Sequence, residues 1–145
     1  MIAKRLTAAD FEGRWTVVRQ IQDRRQKQDG EFEGEATLSP GTAAGELRYN
    51  ERGDIRLGDG PQLEATRAYL WSFGSETVDV TFTDGRAFHS FIPEGQSEGT
   101  DHPCGSDLYR VAYDFSDWPC WSAVWKVKGP RKDYTSVSRY EPVDA

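Results

Sequence analysis

The chain has 145 residues, a mean hydropathy of -0.73 and a net charge of -6 from 18 basic and 24 acidic side chains. That length suits a single domain, 1–145, with one core, and the acidic balance would repel a phosphate backbone, which argues against nucleic acid as a partner. No window approaches the roughly 20 apolar residues of a membrane span, and residues 1–10, with Lys4 and Arg5 among short apolar pieces, lack the hydrophobic stretch of a secretion signal; the reading is a cytoplasmic protein with no membrane partner.

Residues 6–11, Leu-Thr-Ala-Ala-Asp-Phe, can form one helical turn capped by Thr7, with Asp10 favourably placed near its start. From Gly13 onward the period becomes two, as half-buried antiparallel strands require. The first strand sets Trp15, Val17, Arg19 and Ile21 on one face and Thr16, Val18, Gln20 and Gln22 on the other. Asp29-Gly30 reads as its tight hairpin turn, because glycine accepts positive φ without steric cost. The return strand opposes Phe32, Gly34, Ala36 and Leu38 to Glu31, Glu33, Glu35 and Thr37, and the small Gly34 and Ala36 leave room for a ring such as Trp15.

A loop at 39–45 leads to a strand with Leu47 and Tyr49, and a turn at 58–61 precedes Leu63, Ala65, Arg67, Tyr69 and Trp71. Further strands fall at 77–82, 86–92, 107–115, 121–128 and 133–140, about nine in all. Connections are short except for 93–106, so consecutive strands pair as an antiparallel meander. An open sheet would leave two sticky edges; closing it gives an all-β barrel of about 8–9 strands with room for packed side chains or one small ligand. A sandwich is the alternative if 93–106 crosses between sheets. Cys104 and Cys120 flank an extended strand, too far apart for a disulfide, and read as free thiols.

Phe11-Glu12-Gly13-Arg14-Trp15 contains a Gly-x-Trp that resembles the entry motif of the lipocalins and wider calycins. That resemblance implies a Trp closing one barrel end beneath an Arg from near the chain's end, for which Arg139 is the positional candidate. A second likeness covers nearly the whole chain and is to an uncharacterised bacterial domain family of unknown function. It rests on Phe11 to Trp15, Arg-Leu-Gly-Asp-Gly-Pro at 56–61, Phe88-His89, Cys104-Gly105, Tyr-Asp-Phe-Ser-Asp-Trp at 113–118 and Gly-Pro-Arg-Lys-Asp-Tyr at 129–134. This likeness implies no activity, substrate or cofactor.

Arg19 and Arg67 fall in phase with large apolar neighbours, and a guanidinium facing inward must be paired or hydrogen-bonded. They either grip a ligand carboxylate or phosphate across a cavity, or pair with an internal Asp or Glu or stack on Trp or Tyr. Tyr69, Tyr109, Tyr113 and Tyr134 are likewise in phase with apolar residues, and together with Arg19 or Arg67 they form either a polar cavity lining for an oxygen-rich ligand or core rings whose hydroxyls reach the rim or a backbone carbonyl. His89, His102 and Cys104 lack zinc-site spacing, so no metal or cofactor is expected, and 101–106 reads as a surface turn with Cys104 tucked inward. Trp118 either gates a barrel mouth or folds back on the core beside Trp121. Gly129-Pro130-Arg131-Lys132 lacks the glycine spacing of a phosphate loop and reads as a hairpin turn with solvated basic residues.

The leading expectation is an intracellular small-molecule-binding barrel for a partly apolar, anionic ligand, with Arg19, Arg67, Tyr69, His89, Tyr109, Tyr113 and Tyr134 as ligand-binding residues. Two rivals stand beside it: an enzyme of isomerase or hydrolase type acting inside the barrel, with no catalytic residue assignable, and a protein-interaction module with a filled core. Sequence leaves the oligomeric state open.

Overall fold

Alternation carries through into the structure, because each strand has one face that water must leave and one that it keeps. The computed structural model describes residues 4–143; the ends of the expected 1–145 domain lie outside the described residues. A four-residue helix α1 (Ala8–Phe11) is followed by eleven strands: β1 (Gly13–Asp23), β2 (Gln28–Pro40), β3 (Glu46–Leu57), β4 (Leu63–Phe73), β5 (Val78–Phe82), β6 (Ala87–Phe91), β7 (Gln96–Glu98), β8 (His102–Cys104), β9 (Asp107–Asp114), β10 (Trp121–Lys128) and β11 (Asp133–Pro142). They form one antiparallel sheet in the order β6-β5-β4-β3-β2-β1-β11-β10-β9-β7, with β8 also on β9. The two ends of this order meet, since Thr100 N–H donates to Ser90 O at 3.0 Å and Gly99 N–H to Val111 O at 2.7 Å. The result is a nearly closed barrel with eleven strands in place of the expected eight or nine. The additional β7 and β8 lie within 93–106, and three residues apiece are too few to display a period.

The first hairpin turns elsewhere than expected. Asp23 pairs with Gln28, so the turn is residues 24–27, with Lys27 at φ 53°, and Asp29-Gly30 lies inside β2. The buried cross-strand register outweighed the local Asp-Gly signal. Gly34 sits opposite Gly53 on β3, and it is backbone, not the Trp15 ring, that crowds it. A Cβ on Gly53 would lie 2.6 Å from Gly34 Cα and 2.7 Å from Phe32 Cζ.

One barrel end is closed by α1. Asp10 accepts the Thr7 backbone N–H at 2.8 Å, which fixes the turn. Phe11, fully buried, meets Trp71, Phe115, Trp118 and Trp121 edge-on at centroid distances of 5.0–5.6 Å. Trp15 is buried beside this plug and donates its indole N–H to Phe11 O at 2.9 Å. Trp118 folds onto the same cluster, 5.5 Å from Trp15. Arg139 does not cover Trp15: it is exposed on the outer face of β11, because the inward phase there belongs to Ser138 and Tyr140. Cys104 is exposed on β8, not tucked inward, and both cysteines are free. No described helix is long and apolar enough to cross a membrane.

The Gly34/Gly53 contact gives a direct test. Gly53→Ala should destabilise the barrel by about 1–3 kcal/mol through overpacking, read as a lower urea midpoint with an unchanged m-value; an unchanged midpoint would show that the two strands are free to separate.

Candidate functional site

Four strands bring a charged network into the barrel. Arg19 on β1 lies directly opposite Ser138 on β11, and its Nε donates to Ser138 Oγ at 2.6 Å. Across β2, whose inward residues on this path include the small Gly34 and Ala36, its two terminal nitrogens reach Glu51 on β3. Nη1 donates to Glu51 Oε2 at 2.8 Å and Nη2 to Oε1 at 2.7 Å. Both side chains are almost fully buried, at 3% and 1% exposure. Tyr49 donates its hydroxyl proton to Glu51 Oε1 at 2.5 Å, so at the 2.7 Å contact between the Tyr49 and Tyr140 hydroxyls the donor is Tyr140. Its ring stacks on Trp121 at 3.7 Å.

Burial alone would raise the Glu51 carboxyl, but the hydrogen bonds and charge of Arg19, aided by Arg67 and Tyr49, hold it below its ordinary value. Burial likewise opposes the charge on Arg19, and Glu51 restores it. Burial pushes Tyr49, Tyr113 and Tyr140 upward and Tyr69 to about 12, so these phenols are neutral.

Arg67 completes the group differently. It lies opposite Glu51 in the β3/β4 pairing, with Nε 4.0 Å from Oε2, beyond hydrogen-bond reach. Its guanidinium instead lies over the Trp125 ring, 4.6 Å from the centroid, and its side chain is 28% exposed. Here the wall is low, since β4 pairs with β5 only from Tyr69 to Phe73. Trp125 also meets Phe88 at 5.3 Å and Tyr69 and Tyr109 at 6.3 Å.

His89 owes its position to a bulge. The β5/β6 register shifts between Val80 and Thr81, so the adjacent Phe88 and His89 are both buried, an outcome strict alternation forbids. His89 Nε2 lies 2.7 Å from the Tyr113 hydroxyl, while among the described residues Nδ1 has no partner. Burial first, and the charge of His102 second, lower its pKa to about 3.

These groups surround a cavity of about 20 Å³, room for about one water. Of the seven candidates, Arg19, Arg67, Tyr69, His89 and Tyr113 line it. Tyr109 does not: half-buried at the rim, it accepts from Lys132 Nζ at 2.9 Å, so Lys132 is engaged rather than merely solvated. Tyr134, half-buried on β11, lies outside the lining too. Arg19 has all three of its nitrogens engaged, which leaves Arg67 as the guanidinium at the opening. Glu51, Tyr49, Tyr140 and Trp125 were missed in sequence, although Glu51 and Trp125 are in phase with Tyr49 and Trp121 and so were detectable. Among the described residues, no three His, Cys, Asp or Glu side chains come together as a metal site.

A model of a family of unknown function, DUF6314, matches residues 11–142. The chain belongs to that family. No curated protein matches this DUF6314 chain. It is similar to the solved structure of an S-type phycobiliprotein lyase from Guillardia theta, with TM-score 0.68, 8% identity and coverage of 95% of this chain and 91% of that one. It is also similar to a protein of unknown function from the DUF3598 family of Nostoc punctiforme PCC 73102, with TM-score 0.60 and 10% identity. The DUF6314 chain, 95% covered there, spans about half (49%) of that protein's length. At these identities the likeness is one of fold.

Two measurements probe the network. Glu51→Gln should cost about 3–5 kcal/mol of stability by stranding the buried Arg19 charge, as read by urea unfolding; a loss under about 1 kcal/mol would mean the pair is solvated. For His89, the unfolded imidazole takes up its proton near 6.5 and the folded one near 3, so between these values the unfolded state binds more protons and acid favours unfolding. Stability should fall by up to about 1.4 kcal/mol per pH unit over that window from this group alone, and His89→Gln should flatten that part of the profile.

Proposed function

We propose that this barrel binds a small, partly apolar, anionic molecule at its open end, with Arg67 and Trp125 as the first groups the ligand meets. The observation that carries this reading is Arg67 itself: a guanidinium at the mouth of an aromatic-lined opening, held against an indole face with no hydrogen bond to any described residue. Such a group offers its forked donors to a carboxylate, sulfonate or phosphate. The interior is otherwise filled, far below the roughly 300 Å³ of ordinary ligand pockets. An organic ligand therefore enters by displacing Arg67 from Trp125, which costs one stacking contact and a weak attraction to Glu51.

His89 supports a binding role over proton transfer, since a group that titrates near 3 is a poor acid or base at neutral pH. Its depressed pKa has burial as the leading cause, and among the described residues no carboxylate orients it. The resemblance to the phycobiliprotein lyase is architectural and transfers no substrate to this chain.

Titration with anilinonaphthalene sulfonate, an aromatic anion, tests the proposal. It should bind saturably, one molecule per chain, and Arg67→Gln should weaken it by about tenfold or more, the range of a charge-assisted hydrogen bond. Non-saturable binding, or the same affinity in the variant, would overturn the assignment.

A further inference from the structure

The charges at the mouth go further than the anion site on which this step rests, because they fix a number. Inside the wall stand two guanidiniums and one carboxylate. Glu51 is committed to Arg19 through two hydrogen bonds of 2.7 and 2.8 Å and stands 4.0 Å from Arg67. His89 and the surrounding phenols are neutral, so the enclosed group carries one unmatched positive charge. At the rim, Lys132 is already engaged, with Tyr109 at 2.9 Å and Asp107 at 3.5 Å.

Shape adds a second condition. The Arg67 guanidinium, itself planar, occupies the face of Trp125 at 4.6 Å, and the remaining walls at that level are the rings of Tyr69, Phe88 and Tyr109. A flat conjugated body fits the slot this guanidinium vacates, whereas a puckered aliphatic body of equal size must push the rings apart. We infer that the ligand is a planar aromatic molecule bearing one negative charge, and that Glu51 is the residue that sets the charge at one by cancelling Arg19. A second ligand charge would find no further unpaired guanidinium or ammonium among the described residues at the opening, Lys132 being engaged by Asp107, and would face the Glu51 carboxylate. It would also meet the field of a chain whose net charge is -6. The negative group pairs with Arg67 at the rim, and the ring lies on Trp125.

Calorimetry with the wild-type chain and four probes on one skeleton tests this: 2-naphthoate, 2-naphthamide, naphthalene-2,6-dicarboxylate and decahydro-2-naphthoate. The expected result is that 2-naphthoate binds about tenfold or more tightly than each of the other three. In Arg67→Gln, whose fold is checked by circular dichroism, the preference of the acid over the amide should vanish. If the dicarboxylate equals 2-naphthoate, the single-charge rule is overturned while anion binding at Arg67 stands. If the decahydro acid equals it, the planar slot is overturned. If no probe binds, the binding reading of the barrel falls with it.

Discussion

The buried Arg19–Glu51 pair is the constraint around which the rest of the interior is arranged. Two charges taken out of water are tolerable only when geometry is good and the remaining polar atoms are satisfied, and each neighbouring feature meets part of that demand. Ser138 takes the third nitrogen of Arg19, Tyr49 takes the free lone pair of Glu51, and Tyr140 supports Tyr49 in turn. Glycine and alanine on β2 leave the route across that strand clear. With Ser138, the pair also ties β1, β3 and β11 together at one level.

Two chemically identical side chains thereby acquire different roles. Arg19 is enclosed and fully bonded, so it belongs to the scaffold. Arg67, opposite the same carboxylate, stands where β5 ends early, so it keeps its charge and its donors. The difference comes from strand length at one edge of the opening, not from anything in the residues themselves.

Much of the barrel could be read from the chain because alternation in β1, β2 and β4 was unbroken and the turns between later strands were marked by Gly, Pro and Asp. For both arginines the contacts present are of the internal kind expected as the alternative to ligand gripping: Arg19 pairs with a glutamate and Arg67 stacks on a tryptophan. What escaped did so for stated reasons. The β5/β6 bulge broke the period that places Phe88 and His89, and β7 and β8 were too short to show one. Arg139 was assigned by a family's pattern against the phase of its own strand, and the phase prevailed. Glu51 shares the phase of Leu47 and Tyr49, but a carboxylate in that position looks like a surface residue until its partner is known.

Most neighbouring strands here are also neighbours in sequence, and hairpins of that sort assemble quickly. Besides the short-range pairing of β7 with β9 across β8, the exception is the junction of β1 with β11, where Trp15 aligns with Pro142 and two strands more than a hundred residues apart must come together. Closing so large a loop costs entropy before any contact repays it. Because Arg19 arrives from one side of that junction and Ser138 from the other, the polar centre cannot be completed until the termini have met. The pairing that closes this junction is therefore the same event that seals the charges away from water.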